Sequence, residues 1–155
     1  MKQKVLVVAA HPDDEILGCG GTMARLTREG SEVTTLILGE GKTARDEKRN
    51  IDKRKAEIMN LHQEAKSANK TVGVKKIILE RFPDNRFDEV ALLDIVKVVE
   101  KIKNQVKPNI IFTHYEKDLN IDHRVTYQAV ITVTRPMAGE AVKEIYSFEN
   151  ISSTE

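Results

Sequence analysis

The chain has 155 residues, a length that suits one domain with a core of its own. Charged residues make up 32% of it, yet the formal net charge is +1, which excludes an electrostatic nucleic-acid binder from the expected functions. Aromatic residues are only 5%, which leaves no base-stacking platform. Cys19 is the lone cysteine, so no internal disulfide is expected and a reducing cytoplasm fits. The first apolar run is about seven residues, too short for a cleaved leader or a membrane segment.

In chain order, residues 5–10 read as a buried strand. Residues 18–29 read as a helix with Met23 and Leu26 on one face and Gly30 as its stop. Residues 33–38 are β-branched and apolar, a second strand, and 39–42 a loop. A long, highly charged helix is expected over 46–66, with Ile51, Ile58, Met59 and Leu61 as a thin apolar stripe. Residues 74–79 form a third strand and 82–86 a loop with turn chemistry. The clearest helix spans 89–106, where Leu92, Leu93, Val96, Val99 and Ile102 recur at helical spacing. A fourth strand over 110–113, a polar loop over 114–122, a helix over 125–133 and a final strand over 143–148 complete the pattern. Alternating strands and helices imply an α/β fold, a mostly parallel sheet with helices on both faces, hence three layers.

The most informative stretch runs from Val8 to Gly18, where an apolar strand breaks into His11-Pro12-Asp13-Asp14-Glu15. Ligands bind open α/β sheets beyond the carboxyl ends of the strands, and that much charge is costly to bury unless it is paired or holds a metal. A second cluster, Asp118-Leu119-Asn120-Ile121-Asp122-His123, follows the fourth strand and so falls on the same sheet edge. His11, Asp14 and His123 then make a two-histidine, one-carboxylate set with open positions. Catalytic zinc and non-haem iron both use such sets, and hydrolytic chemistry favours zinc. Asp13 sits between ligands and is free to act as general base; its bland alternative is a helix cap. Gly18, Gly20 and Gly21 miss the dinucleotide spacing and are expected to allow close packing instead.

These residues also carry a resemblance. Ala10-His11-Pro12-Asp13-Asp14-Glu15, then Gly18-Cys19-Gly20-Gly21-Thr22 and Asp122-His123, resemble the PIG-L/LmbE-like de-N-acetylase family over essentially the whole chain. The resemblance implies a Rossmann-like fold and a zinc-dependent enzyme, with Fe2+ or another divalent metal as alternatives. It implies removal of acetyl groups from N-acetylglucosamine-type sugars or conjugates. It implies His11, Asp14 and His123 as metal ligands, Asp13 as base and Arg54 as a substrate contact. Where many relatives have an oxyanion-stabilising histidine three residues before the last ligand, this chain has Asn120, whose amide can donate to an oxyanion. His114 is the other candidate for that role; otherwise it is an exposed loop residue. Loops 39–44 and 82–87 are expected to line the pocket. The chain is expected to be one domain over 1–155, short of C-terminal elements usual in the family. That makes a catalytically inactive metal- or glycan-binding module the alternative function. Family members often assemble, so a homo-oligomer is one expected form.

Overall fold

A computed structural model describes residues 2–151. Five strands, β1 (Lys4–Ala9), β2 (Glu32–Gly39), β3 (Lys76–Phe82), β4 (Ile110–His114) and β5 (Glu144–Phe148), form one sheet in the order β3-β2-β1-β4-β5. Every pairing is parallel. Four helices connect them: α1 (Asp14–Arg28), α2 (Ile51–Thr71), α3 (Leu92–Val106) and α4 (Ile121–Val133).

β1 lies at the centre, with Val5 through Ala10 fully buried. A parallel strand covered on both faces reads as a continuous apolar run, and this one does. Its side chains alternate between two cores. Leu6, Val8 and Ala10 pack with Ile95, Val99 and Ile102 of α3 and Ala129, Val130 and Val133 of α4. Val5, Val7 and Ala9 pack on the other face with Cys19 and Met23 of α1 and Ala65 of α2. The sheet is therefore the middle layer of three.

The order of strands reverses between β1 and β4, so the chain leaves the two strands in opposite directions and opens a crevice beyond Ala9 and His114. That is the switch point at which such sheets bind ligands. β2 also ends there: the Gly39 N–H donates to the Ala10 carbonyl at 2.7 Å, and a Cβ on Gly39 would lie 2.8 Å from that oxygen and 3.3 Å from the His11 ring.

All four helix starts differ from the sequence reading. α1 begins at Asp14 rather than residue 18, and Cys19 (φ −143°, ψ 17°) kinks it after its first turn. α2 begins at Ile51 rather than 46, because Asn50 caps it by accepting from the Lys53 N–H at 2.9 Å. The Asp46 carboxylate is instead occupied by Lys53 and Arg54. α3 begins at Leu92 rather than 89, with Phe87–Glu89 forming a separate 3-10 turn. α4 begins at Ile121, capped by Asn120. No described helix is long and apolar enough to cross a membrane.

Candidate metal centre and catalytic site

The first turn of α1 delivers the acidic residues. Asp13 is its N-terminal boundary, with φ 122° and ψ −32°. Its carbonyl accepts from the Ile16 and Leu17 N–H groups at 3.0 and 2.9 Å, while its side chain makes no capping bond. The bland capping role is thus taken by the backbone, and the exposed Asp13 carboxylate is left uncommitted. The protein packed around its inner side and the neighbouring Asp14 charge push its pKa up.

Asp14 turns inward. Its Oδ2 accepts from the His11 N–H at 2.8 Å and lies 3.3 Å from His11 Nδ1 and 3.1 Å from His123 Nε2. One donor atom from each of His11, Asp14 and His123 falls within 4.8 Å of the others. The far nitrogens of both rings are held by buried carboxylates. His11 Nε2 pairs with Asp122 Oδ2 at 2.8 Å, and His123 Nδ1 with Asp118 Oδ2 at 2.9 Å. Asp122 also accepts from the Asn85 and Phe87 N–H groups at 2.7 and 2.9 Å, tying the 82–87 loop to the site.

This arrangement fits a divalent cation. Anchoring the outer nitrogens fixes ring orientation and turns His11 Nδ1 and His123 Nε2 toward Asp14, as outer-shell carboxylates do in histidine metal sites. His123 Nε2 is buried, and it faces Asp14 Oδ2 at 3.1 Å without good hydrogen-bond geometry. The electrostatics agree. Burial opposes a charged His11, but Asp122 and Asp14 outweigh it and raise the ring to about 10. His123 is also raised, by Asp14 and Asp118 against burial. Asp14 is held far below the usual carboxylate range, because the histidines outweigh its own burial. The pocket favours positive charge at its centre, and a cation would displace protons from these rings.

His114 is not an exposed loop residue. It ends β4, is fully buried, and its Nε2 accepts from the Ala10 N–H at 2.9 Å. It stacks on His123 with ring centres 3.9 Å apart. Burial and the neighbouring histidine charges push its pKa down to about 3, so it stays neutral. Asn120 caps α4 by accepting from the Asp122 N–H at 2.8 Å, and its amide donates to Asn85 Oδ1 at 2.8 Å. Arg54 is engaged by Asp46 at 2.8 and 3.0 Å and by Glu57 at 2.7 Å; its described bonds do not reach the histidines.

Three participants escape the sequence. Asp84 lies 3.5 Å from His11 Nε2. Asn150 Nδ2 donates to Asp14 Oδ1 at 2.5 Å. Glu15 is fully buried behind the site, where burial pushes its carboxyl up to about 7. Beside Asp13 runs a groove of about 250 Å³, lined by Pro12, Ile16, Leu17 and Leu61 among others.

Residues 6–134 match the family PIG-L: GlcNAc-PI de-N-acetylase. The chain is 28% identical over 157 residues to the uncharacterized deacetylase YaiS of Escherichia coli (strain K12), spanning 98% of this chain and 76% of that protein. It is 30% identical over 142 residues to a probable N-acetyl-alpha-D-glucosaminyl L-malate deacetylase 2 of Bacillus cereus, spanning 90% of this chain and 64% of that protein. The N,N'-diacetylchitobiose deacetylase of Pyrococcus horikoshii superposes with a TM-score of 0.71 at 27% identity, over 85% of this chain and 49% of that one. With the histidine–aspartate cluster at the switch point of a parallel sheet, and a match over most of its length, the chain belongs to the PIG-L family.

Proposed function

We propose that the chain is a metal-dependent deacetylase that hydrolyses the acetamide of an N-acetylglucosamine-type sugar or conjugate, with zinc as its cation. The observation that carries this reading is the convergence of His11, Asp14 and His123 beside Asp13, a carboxylate with no capping bond of its own. The deacetylases of Bacillus cereus and Pyrococcus horikoshii support the substrate class.

A divalent cation held by His11 Nδ1, Asp14 and His123 Nε2 would supply Lewis acidity, acidifying water and polarising the amide carbonyl. Asp13 takes a proton from water as the new C–O bond forms at the acetamide carbon. It returns that proton to nitrogen as the C–N bond breaks, giving acetate and a free amine. Its raised pKa suits both halves of that task. Asn120 stands next to the ligand loop as an amide donor for the oxyanion, by releasing Asn85. Arg54 would meet substrate by exchanging Asp46 for it.

The test pairs turnover with metal content. Asp13→Asn should keep about one metal per chain and lose about 100-fold or more in acetate release, the usual scale for a general base. A variant that retains near-normal turnover would remove Asp13 from the chemistry. A wild-type chain that binds metal but releases no acetate would favour the binding-module reading.

A further inference from the structure

Asp13 occupies a conformation that a residue with a Cβ adopts only under constraint. A φ of 122° is sterically unfavourable for a non-glycine residue, and such strain persists only where the surroundings over-determine it. The constraint is visible. The Asp13 N–H donates to Glu15 Oε2 at 3.1 Å. The other oxygen, Oε1, accepts from Asn69 Nδ2 at 2.7 Å, and Asn69 Oδ1 accepts from Thr35 Oγ1 at 2.7 Å. Thr35, Asn69 and Glu15 are all buried. A file of hydrogen bonds therefore runs from β2 through α2 to α1 and ends on the peptide that carries Asp13.

We propose that Glu15 is a positioning residue: through its bond to the Asp13 N–H, and braced by Asn69 and Thr35, it holds the Asp13 carboxylate in working orientation. This rests on the reading of Asp13 as general base. Three consecutive acids thus meet three environments. Asp13 faces the open groove, Asp14 the histidines, and Glu15 the core. A buried carboxylate is an expensive means of satisfying the Asp13 N–H and the Asn69 amide, since a neutral acceptor there would meet both donors at a lower desolvation cost. Fixing one strained peptide gives the costlier group a task beyond stability.

The polarity of the file makes the proposal testable. Two donors face Glu15, the Asp13 N–H and the Asn69 amide. Glu15→Gln keeps the shape but sets an NH2 against one of them. Adding Asn69→Asp reverses the file. The new amide at position 15 then donates to the new carboxylate at position 69, and its carbonyl accepts from the Asp13 N–H. The carboxylate at position 69 still accepts from the Thr35 hydroxyl. The Ala65 carbonyl loses its bond to the Asn69 side chain and faces a carboxylate oxygen instead, a local repulsion that lowers stability, while it keeps its place in the helical ladder.

The experiment measures kcat, KM and metal content for the two single variants and the swap, on zinc-loaded protein. It also determines a crystal structure of each. Glu15→Gln should lose about 10- to 100-fold in kcat, the scale of a misplaced catalytic group. KM and the metal content should stay near wild type. The swap should recover most of the kcat and return Asp13 to positive φ. Near-normal kcat in Glu15→Gln, or a folded swap that restores φ but not kcat, would overturn the proposal. If the wild type releases no acetate, the deacetylase reading fails. The crystal structures then judge the positioning claim alone, and an Asp13 that keeps positive φ in Glu15→Gln sinks it.

Discussion

Asp118 and Asp122 act on the histidine cluster from the far side of its rings. Each is fully buried, and each holds the outer nitrogen of one histidine. Asp118 has a second task, accepting from the Asn120 N–H at 2.9 Å, so the loop and the ring are fixed together. Losing such an outer-shell carboxylate commonly lowers metal affinity by about 10- to 100-fold. Asp118→Asn should therefore weaken zinc binding on that scale in a competition titration against a chelator. Unchanged affinity would mean that stacking on His114, not Asp118, orients the ring. Both aspartates sit close to His123 in the sequence, but their roles are hidden there. An Asp-x-Asn-x-Asp-His loop shows charge, and only the start of α4 at Ile121 decides which carboxylate turns toward which ring.

Between elements, Gly18 of α1 packs closely against Phe148 of β5. A Cβ at Gly18 would fall 2.2 Å from the Phe148 ring, which is itself nearly buried and leans on His114 with ring centres 4.8 Å apart. Two effects compete in Gly18→Ala. Alanine is the better helix former by about 1 kcal/mol, while overpacking a filled core costs about 1–3 kcal/mol. The ring is nearly buried and backed by His114, so overpacking should win: Gly18→Ala should unfold at lower denaturant, by about 1–2 kcal/mol. Equal or greater stability would show that Phe148 can swing aside. The expectation of close packing holds at Gly18 but not at Gly21, where a Cβ would meet nothing within 4 Å. The start of α2 is obscure in the sequence for a related reason. Asp46 has the right chemistry for a helix cap, but tertiary pairing with Arg54 claims it and leaves capping to Asn50.

Across the molecule, the strand order and the site belong together. β1 is legible because a fully covered parallel strand has no polar face to disguise it. His11, Asp14 and His123 are legible because both charged clusters follow strands, and parallel strands end on one edge of the sheet. Contacts between distant segments are not legible. Asn150 reaches Asp14 across 136 positions and Asn69 reaches Glu15 across 54, and only the finished packing sets those pairs. That this edge holds a cation, and that the cation makes the chain a deacetylase, is tested most directly by one assay. Acetate release is measured from a panel of N-acetylglucosamine conjugates, on protein stripped of metal and then reloaded with zinc. The predicted result is no acetate from the stripped protein and release restored with about one zinc per chain. Release that survives complete removal of metal, or its absence from every conjugate at full zinc loading, would contradict it.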